Sequence, residues 1–183
     1  MLPPFERLED TRVDERLRQT VLETGRMSAF LDVIPHTDLW RADFGAGGST
    51  FVKPYIQKPL HVDEPHESHI IYALDMDENL EVMGLAFCAK QSATLGGVAE
   101  LPYVEHNQTR PAYRRLGLEV RRLVVLNEFC QKVAYGGSQP LSSGRLLGKK
   151  LGDPEIRLWN RLVNAGLAVK AGDRYHFKSM TDD

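Results

Sequence analysis

Long apolar runs are absent from this 183-residue sequence, and none approaches the ~20 residues that a membrane-spanning helix needs. The first residues, M-L-P-P-F-E-R, do not form a secretory signal peptide. An excess of charge is missing too, and a net charge of −2 gives no general reason to expect nucleic acid or an anionic membrane as a partner. We therefore expect a cytoplasmic protein that does not bind a membrane.

Cysteine is scarce. Cys88 and Cys130 both lie in apolar stretches, which predicts buried free thiols and excludes a disulfide framework. The remaining composition, 42% apolar and 26% charged, is typical of a soluble globular protein. A chain of this length predicts one domain with a substantial buried core.

Histidine and aspartate do not fall into a metal-binding pattern. Asp38, His61, His66 and His69 are the candidate ligands, but the three histidines are spaced by five and three residues without residues placed to orient them. We interpret all four as polar loop residues and expect no metal.

The first third of the sequence predicts a helical N-terminal extension. The apolar spacing predicts an amphipathic helix from Asp14 to Leu31, ended by Pro35. From Ser68 onward strands follow: His69–Met76 and Glu81–Lys90 predict a hairpin around a turn at Asp77–Asn79. A third strand candidate, Val98–Glu105, contains Pro102, which predicts a bulge or an interrupted pairing there.

The stretch Pro111–Ala134 begins as a basic turn and continues as a long, mostly apolar helix. Its buried face is predicted to contain Leu123, Leu126, Cys130 and Val133. Arg114, Arg115 and Gly117 precede the helix, where the first backbone N–H groups have no helical partner. Such a start, with its positive dipole end, predicts an anion site.

The last part of the chain predicts three short elements. P-L-S-S at 140–143 is a short strand, and a helix runs from Pro154 to Ala165 with Asp153 as its N-cap and Gly166 at its end. A closing hairpin turns at Ala171–Asp173.

The segment T-R-P-A-Y-R-R-L-G-L-E-V (109–120) resembles the acyl-CoA-binding motif of the GNAT superfamily of N-acetyltransferases, Arg/Gln-x-x-Gly-x-Gly/Ala after a strand. Arg114 matches the first position and Gly117 the glycine. P-L-S-S, I-R-L-W-N-R-L-V-N-A-G-L-A-V and R-Y-H-F are similar to the C-terminal half of GNAT-like proteins carried by bacteriophages. The resemblance covers Ser68–Phe177. It implies an α+β fold with a mixed, mainly antiparallel sheet flanked by helices, and an acyl-CoA-binding core at 68–178 after the extension at 1–67.

The resemblance implies transfer of an acetyl group from acetyl-CoA to an amine of a protein or small molecule. If the chain is phage-encoded, it implies a host protein as acceptor and the host cytoplasm as location. The resemblance is compatible with a homodimer. The pyrophosphate would be held by Arg114, Arg115, Leu116, Gly117, Leu118, Glu119 and Val120, and Arg121 would add charge. The last motif position departs from the family: Glu119 stands where Gly or Ala is usual.

The catalytic groups that the resemblance implies are a general base and a proton donor. A protonated amine cannot attack a thioester, so a base must remove a proton first, and Glu100 and Glu105 are the candidates, with His106 beside them. The family's tyrosine on the last helix is replaced by Trp159, which leaves Tyr103, Tyr113 and Tyr175 as alternative donors. Ser142 and Ser143 either line the pantetheine or acceptor channel or form a turn.

Two other interpretations stay open. Residues 120–178 also match a winged helix-turn-helix that binds DNA, with a second helix in S-S-G-R-L-L-G-K-K-L-G. Its phosphate contacts would come from a basic cluster: Arg145, Lys149, Lys150, Arg157 and Arg161. Alternatively, a GNAT fold without activity binds and modulates a host protein, which Glu119 and Trp159 favour.

Overall fold

The computed structural model describes residues 2–24, 33–35, 38–57, 68–91, 94–95, 98–99, 101–143 and 152–180. Its helices are α1 (Thr11–Glu23), α2 (Leu118–Phe129) and α3 (Asp153–Asn164). Its strands are β1 (Phe5–Leu8), β2 (Val33–Pro35), β3 (Leu39–Asp43), β4 (Ser49–Gln57), β5 (Ser68–Met76), β6 (Val82–Gln91), β7 (Thr94–Leu95), β8 (Val98–Ala99), β9 (Tyr103–Thr109), β10 (Ala168–Ala171) and β11 (Arg174–Phe177).

One large antiparallel sheet organises the molecule. Its strands lie in the order β1-β3-β4-β5-β6-β9, and β2 pairs with β4 beside β3. The predicted hairpin is confirmed as β5 and β6, with Ile71 opposite Cys88. The fold is therefore α+β with a mainly antiparallel sheet and helices on it, as predicted. No helix among the described residues has the length and apolar character needed to cross a membrane.

Helix α1 covers one face of this sheet. Val13, Leu17 and Val21 form its buried stripe and pack on strand residues that include Tyr72 and Phe87. The predicted span Asp14–Leu31 is wrong at both ends. The helix begins at Thr11, because Asp10 caps it. It ends at Glu23, two residues before Gly25, and glycine has a low helix propensity. Pro35 does not end it but lies in β2, and residues 25–32 lie outside the described residues.

Helices α2 and α3 cover the opposite face. Leu123, Leu126 and Phe129 are fully buried against the sheet. The helical geometry changes at Cys130, where a π-helical turn begins and the Tyr135 N–H donates to the Cys130 carbonyl over 2.7 Å. This wider turn shifts the register of the face, so the prediction that Val133 is buried is wrong: it is 41% exposed.

Strand β9 differs from its predicted span. Val98–Glu105 is not one strand, because Val98–Ala99 pairs with Thr94–Leu95 in a separate hairpin and β9 begins after Pro102. Pro102 interrupts the pairing, as predicted, and its carbonyl accepts from the Ser142 N–H over 2.8 Å. β9 pairs with β6 through an irregularity between Phe87 and Cys88.

The segment Leu141–Ser143 connects β9 to the C-terminal hairpin. Ser142 forms a parallel bridge with Tyr103 and an antiparallel bridge with His176. β9 and this segment are therefore a parallel pair whose connection contains α2. The predicted last helix and closing hairpin are present as α3 and β10–β11, but Gly152 is the N-cap of α3 and Asp153 is already helical.

Candidate functional site at the start of α2

A turn with two left-handed residues separates β9 from α2. After Thr109 the chain makes a 3-10 turn at Pro111–Tyr113 and then places Arg115 at φ 69° and Gly117 at φ 74°. Gly117 is the N-cap of α2. A Cβ atom on Gly117 would contact no atom within 4 Å, so the backbone angle and not the space explains why glycine suits this position.

The start of α2 is open, meaning that its first backbone N–H groups are not capped by a side chain. Its first helical bond runs from the Arg121 N–H to the Gly117 carbonyl over 3.1 Å. The N–H groups of Leu118, Glu119 and Val120 therefore lack helical acceptors. Together with the helix dipole, they favour an anion.

The seven residues predicted to bind a pyrophosphate lie together in this turn and the first helical turn. Arg114 and Arg115 are exposed, and Arg114 Nε donates to the Thr109 carbonyl over 3.3 Å. Leu116 is 67% exposed, whereas Leu118 is buried. Glu119 and Val120 are half-buried. The turn and the first helical turn thus contain two cations, three backbone donors and one carboxylate.

Arg121 is engaged elsewhere. Its guanidinium donates to the Gly47 carbonyl over 2.7 Å and to Asp75 Oδ1 over 3.2 Å, and it stacks on the Phe44 ring at 4.2 Å. This arginine therefore ties α2 to the turn between β3 and β4, and Asp75 offsets its charge.

Beneath the turn lies a buried polar cluster that the sequence analysis missed: Asp75, Asn107, Thr109 and Arg122. The Asp75 and Arg122 side chains are both 0% exposed, and Arg122 Nη1 donates to Asp75 Oδ2 over 3.0 Å. Arg122 also donates from Nε to Asn107 Oδ1 over 3.0 Å and from Nη2 to the Thr109 hydroxyl. Burial lowers the pKa of Arg122, and Asp75 opposes that shift, so the guanidinium stays protonated.

The sequence contains a signal for this cluster. Asp75 interrupts the apolar strand pattern I-I-Y-A-L-D-M one residue before its end, and Arg122 occupies a position that the helix buries beside Leu123. A charge at a buried position calls for a partner of opposite charge. The sequence does not identify this partner, because 46 residues lie between Asp75 and Arg122. Only the packing of α2 on the sheet brings them together.

The predicted bases are less well placed. Glu100 lies outside the described residues. Glu105 is half-buried on β9, and its Oε1 accepts from the Tyr103 hydroxyl over 3.2 Å. His106 stacks on Phe87 at 5.1 Å. Glu105 precedes Thr109 by four residues, about 13 Å along a strand. The structure therefore does not bring Glu105 next to the motif turn.

The residues considered as proton donors have defined partners. Trp159 is buried and stacks on Tyr175 at 5.9 Å, and the Tyr175 hydroxyl donates to Asn160 over 2.9 Å. The Tyr113 hydroxyl donates to Asp77 over 3.2 Å. Desolvation and this hydrogen bond raise the pKa of Tyr113.

Ser142 and Ser143 are buried and use their hydroxyls within the fold. The Ser142 hydroxyl donates to the Pro102 carbonyl over 3.0 Å, and the Ser143 hydroxyl accepts from the Tyr175 N–H over 3.0 Å. Both serines therefore join chain segments, which favours the structural interpretation over a channel lining.

Two of the four candidate metal ligands lie among the described residues, and each contacts another side chain. Asp38 pairs with Arg7 at 3.2 Å, and His69 stacks on Tyr135 at 6.1 Å. His61 and His66 lie outside the described residues, and within those residues no group of His, Cys, Asp and Glu could hold a metal.

Cys88 and Cys130 are buried and free, as predicted, with their Sγ atoms 3.9 Å apart. Their hydrogen bond and burial raise the pKa of Cys130.

The winged-helix interpretation stays a prediction. Its second helix, predicted for residues 142–152, falls largely on residues 144–151, which include Arg145, Lys149 and Lys150 and lie outside the described part of the chain. Arg157 and Arg161 are exposed on α3.

No protein-family model, no curated protein and no solved structure matches this chain.

Proposed function

We propose that this protein is an N-acetyltransferase of the GNAT type, which transfers an acetyl group from acetyl-CoA to an amine. The observation that carries the proposal is the open start of α2 at the carboxyl end of β9. A helix start of this kind accepts phosphates through its N–H groups and its dipole. The parallel contact of β9 with Ser142 supports it as well, because ligands of α/β units bind beyond the carboxyl ends of their strands.

The pyrophosphate of acetyl-CoA would bind to the N–H groups of Leu118, Glu119 and Val120. Arg114 and Arg115, exposed in the preceding turn, would supply positive charge. Gly117 carries no side chain that could keep a phosphate away from the backbone. Glu119 acts against binding, because its carboxylate belongs to the same helical turn.

The chemistry assigned to β9 needs one base and one acid. The amine nitrogen attacks the thioester carbonyl carbon, the carbon–sulfur bond breaks, and CoA leaves as a thiolate. Glu105 would take the proton that the amine loses, and Tyr103 would give one to the thiolate. Because the Tyr103 hydroxyl lies 3.2 Å from Glu105, a proton can then return from the carboxyl group to the phenolate.

Calorimetric titration of the purified protein with acetyl-CoA, and with CoA, tests the proposal. We expect binding of both in the micromolar range. Arg115→Ala should weaken it about fivefold, the loss of one exposed phosphate contact. Arg157→Ala is the control, because Arg157 is equally exposed but lies on α3.

If the titrations show binding of neither acetyl-CoA nor CoA, the proposal is overturned. The remaining GNAT-like interpretation would then be a module that binds and modulates a host protein. If the affinity falls equally in Arg115→Ala and Arg157→Ala, the binding is instead a non-specific attraction of the anionic ligand to surface arginines.

A further inference from the structure

The cluster of Asp75, Asn107, Thr109 and Arg122 is buried between α2 and the sheet, where charge is costly. Removing two ions from water carries a large penalty, and their attraction repays it only with close geometry and further hydrogen bonds. Both conditions are met here, since Asp75 also accepts from the Thr50 hydroxyl and Arg122 donates from all three of its nitrogens. A buried pair of this kind adds little stability beyond that of apolar residues in its place.

Three contacts that leave the cluster end on the turn before α2 or on its first residues, and one ends on Thr50 of β4. Asn107 Nδ2 donates to the Glu119 carbonyl over 3.2 Å. The Thr109 carbonyl accepts from Arg114 Nε over 3.3 Å, and Asp75 accepts from Arg121 over 3.2 Å. Arg114, Glu119 and Arg121, which span the segment 114–121, are thus each bonded to a residue of the cluster, and the Arg114 bond ends on the main chain of Thr109.

Gly84 on β6 makes room for the cluster. A Cβ atom at this position would collide with Arg122 Nη1 and would lie 2.6 Å from the Gln108 carbonyl oxygen. Only glycine lets the guanidinium lie flat against the strand, because any larger residue displaces Arg122 or β9. Three strands, β5, β6 and β9, are therefore shaped around the same side chain of α2.

We propose that the cluster of Asp75, Asn107, Thr109 and Arg122 is a positioning device that fixes residues 114–121 in the geometry of the anion site. Its effect on acetyl-CoA binding rests on the proposed function, whereas its effect on the turn does not. Arg122 and Asp75 touch no ligand in this arrangement. They act through Asn107, which bonds both Arg122 and the Glu119 carbonyl, and through Thr109, whose hydroxyl accepts from Arg122, so that the first turn of α2 is held in place before a ligand arrives.

Thr109→Val tests the proposal, because it keeps the shape of the side chain and removes the acceptor of Arg122 Nη2. Two quantities are measured: affinity for CoA by calorimetry, and amide hydrogen exchange of Arg121 and Arg122 by NMR. We expect about a tenfold weaker affinity and about a tenfold faster exchange of these two amides. Thr109→Ser keeps the hydroxyl and should restore both. Thr20→Val, a buried threonine of α1, is the control and should change neither.

If Thr109→Val does not fold, Asn107→Ala replaces it, since Asn107 is only half-buried and contacts both Arg122 and Glu119. The proposal is overturned if exchange at Arg121 and Arg122 rises no more in these variants than in Thr20→Val. It is overturned equally if Thr109→Ser fails to restore it. Wild-type protein that binds no CoA would refute the proposed function, and the exchange rates would still decide the positioning role.

Discussion

The starts of α1 and α2 are built in opposite ways. At α1, Asp10 Oδ1 accepts from the N–H groups of Arg12 and Val13, over 3.0 and 3.4 Å, so the helix satisfies its own first donors. At α2, Gly117 offers no side chain and the first donors stay open. The first start is therefore closed by its own cap, whereas the backbone donors of the second are available to an anion.

The two helices are also anchored differently. α1 binds the sheet through an apolar stripe, with two ion pairs at its edge, Asp14 with Lys53 and Glu23 with Arg110. α2 has an apolar stripe as well, but its first turn is held from beneath by Asp75 and Arg122. A capped helix start needs no such support. An uncapped helix start, whose N–H groups must stay directed outward, is stabilised by such support. The missing cap and the buried anchor of α2 therefore belong together.

Removal of the buried carboxylate should have the largest effect. Asp75→Ala leaves the Arg122 guanidinium buried without its counter-charge, and we expect a loss of about 3–5 kcal/mol in the free energy of unfolding. Denaturant unfolding measures it. The double variant Asp75→Leu with Arg122→Met should lose less than Asp75→Ala, because no charge is left unpaired. A loss of about 1 kcal/mol in Asp75→Ala would show that the pair does not anchor α2.

Removal of the α1 cap should have a smaller effect. Asp10→Ala is expected to cost about 1 kcal/mol of the free energy of unfolding. Burial acts to raise the pKa of Asp10, but hydrogen bonds from Arg12 and Val13 outweigh it and lower the pKa below the usual 3.8. The cap therefore stabilises the fold above that usual value, and its contribution is lost as the pH falls through the folded pKa.

Denaturant unfolding of wild type and Asp10→Ala at neutral pH and in acid measures this dependence. The difference between the two proteins should shrink in acid. A difference that stays constant with pH would mean that the carboxylate does not cap the helix.

Neutralising Glu119 should have the smallest effect. Glu119→Gln removes a negative charge from the first turn of α2, and we expect acetyl-CoA to bind about two- to fivefold more tightly. Glu155→Gln is the matched control, because Glu155 is exposed in the first turn of α3. Calorimetry at low salt measures both. Unchanged affinity in Glu119→Gln would place its carboxylate away from the bound phosphates.

Local patterns predicted much of the chain. Apolar periodicity located α1, α2, α3, the β5–β6 hairpin and the closing hairpin, because burial of one face repeats at the period of each element. Their ends were less predictable. The span of α1 depended on the Asp10 cap, and the burial of Val133 depended on a π-helical turn that no propensity encodes. The motif turn was predictable as a unit, since its seven residues are contiguous.

The sequence by itself therefore determined α1, α2, α3, the β5–β6 hairpin, the closing hairpin and the basic turn before α2, because these follow from residues close together in the chain. Tertiary structure alone decided that Arg122 meets Asp75 and that Arg121 turns to Gly47. These relations join residues far apart in sequence or on different elements. They exist only once α2 has packed on the sheet, where a buried charge must find its partner.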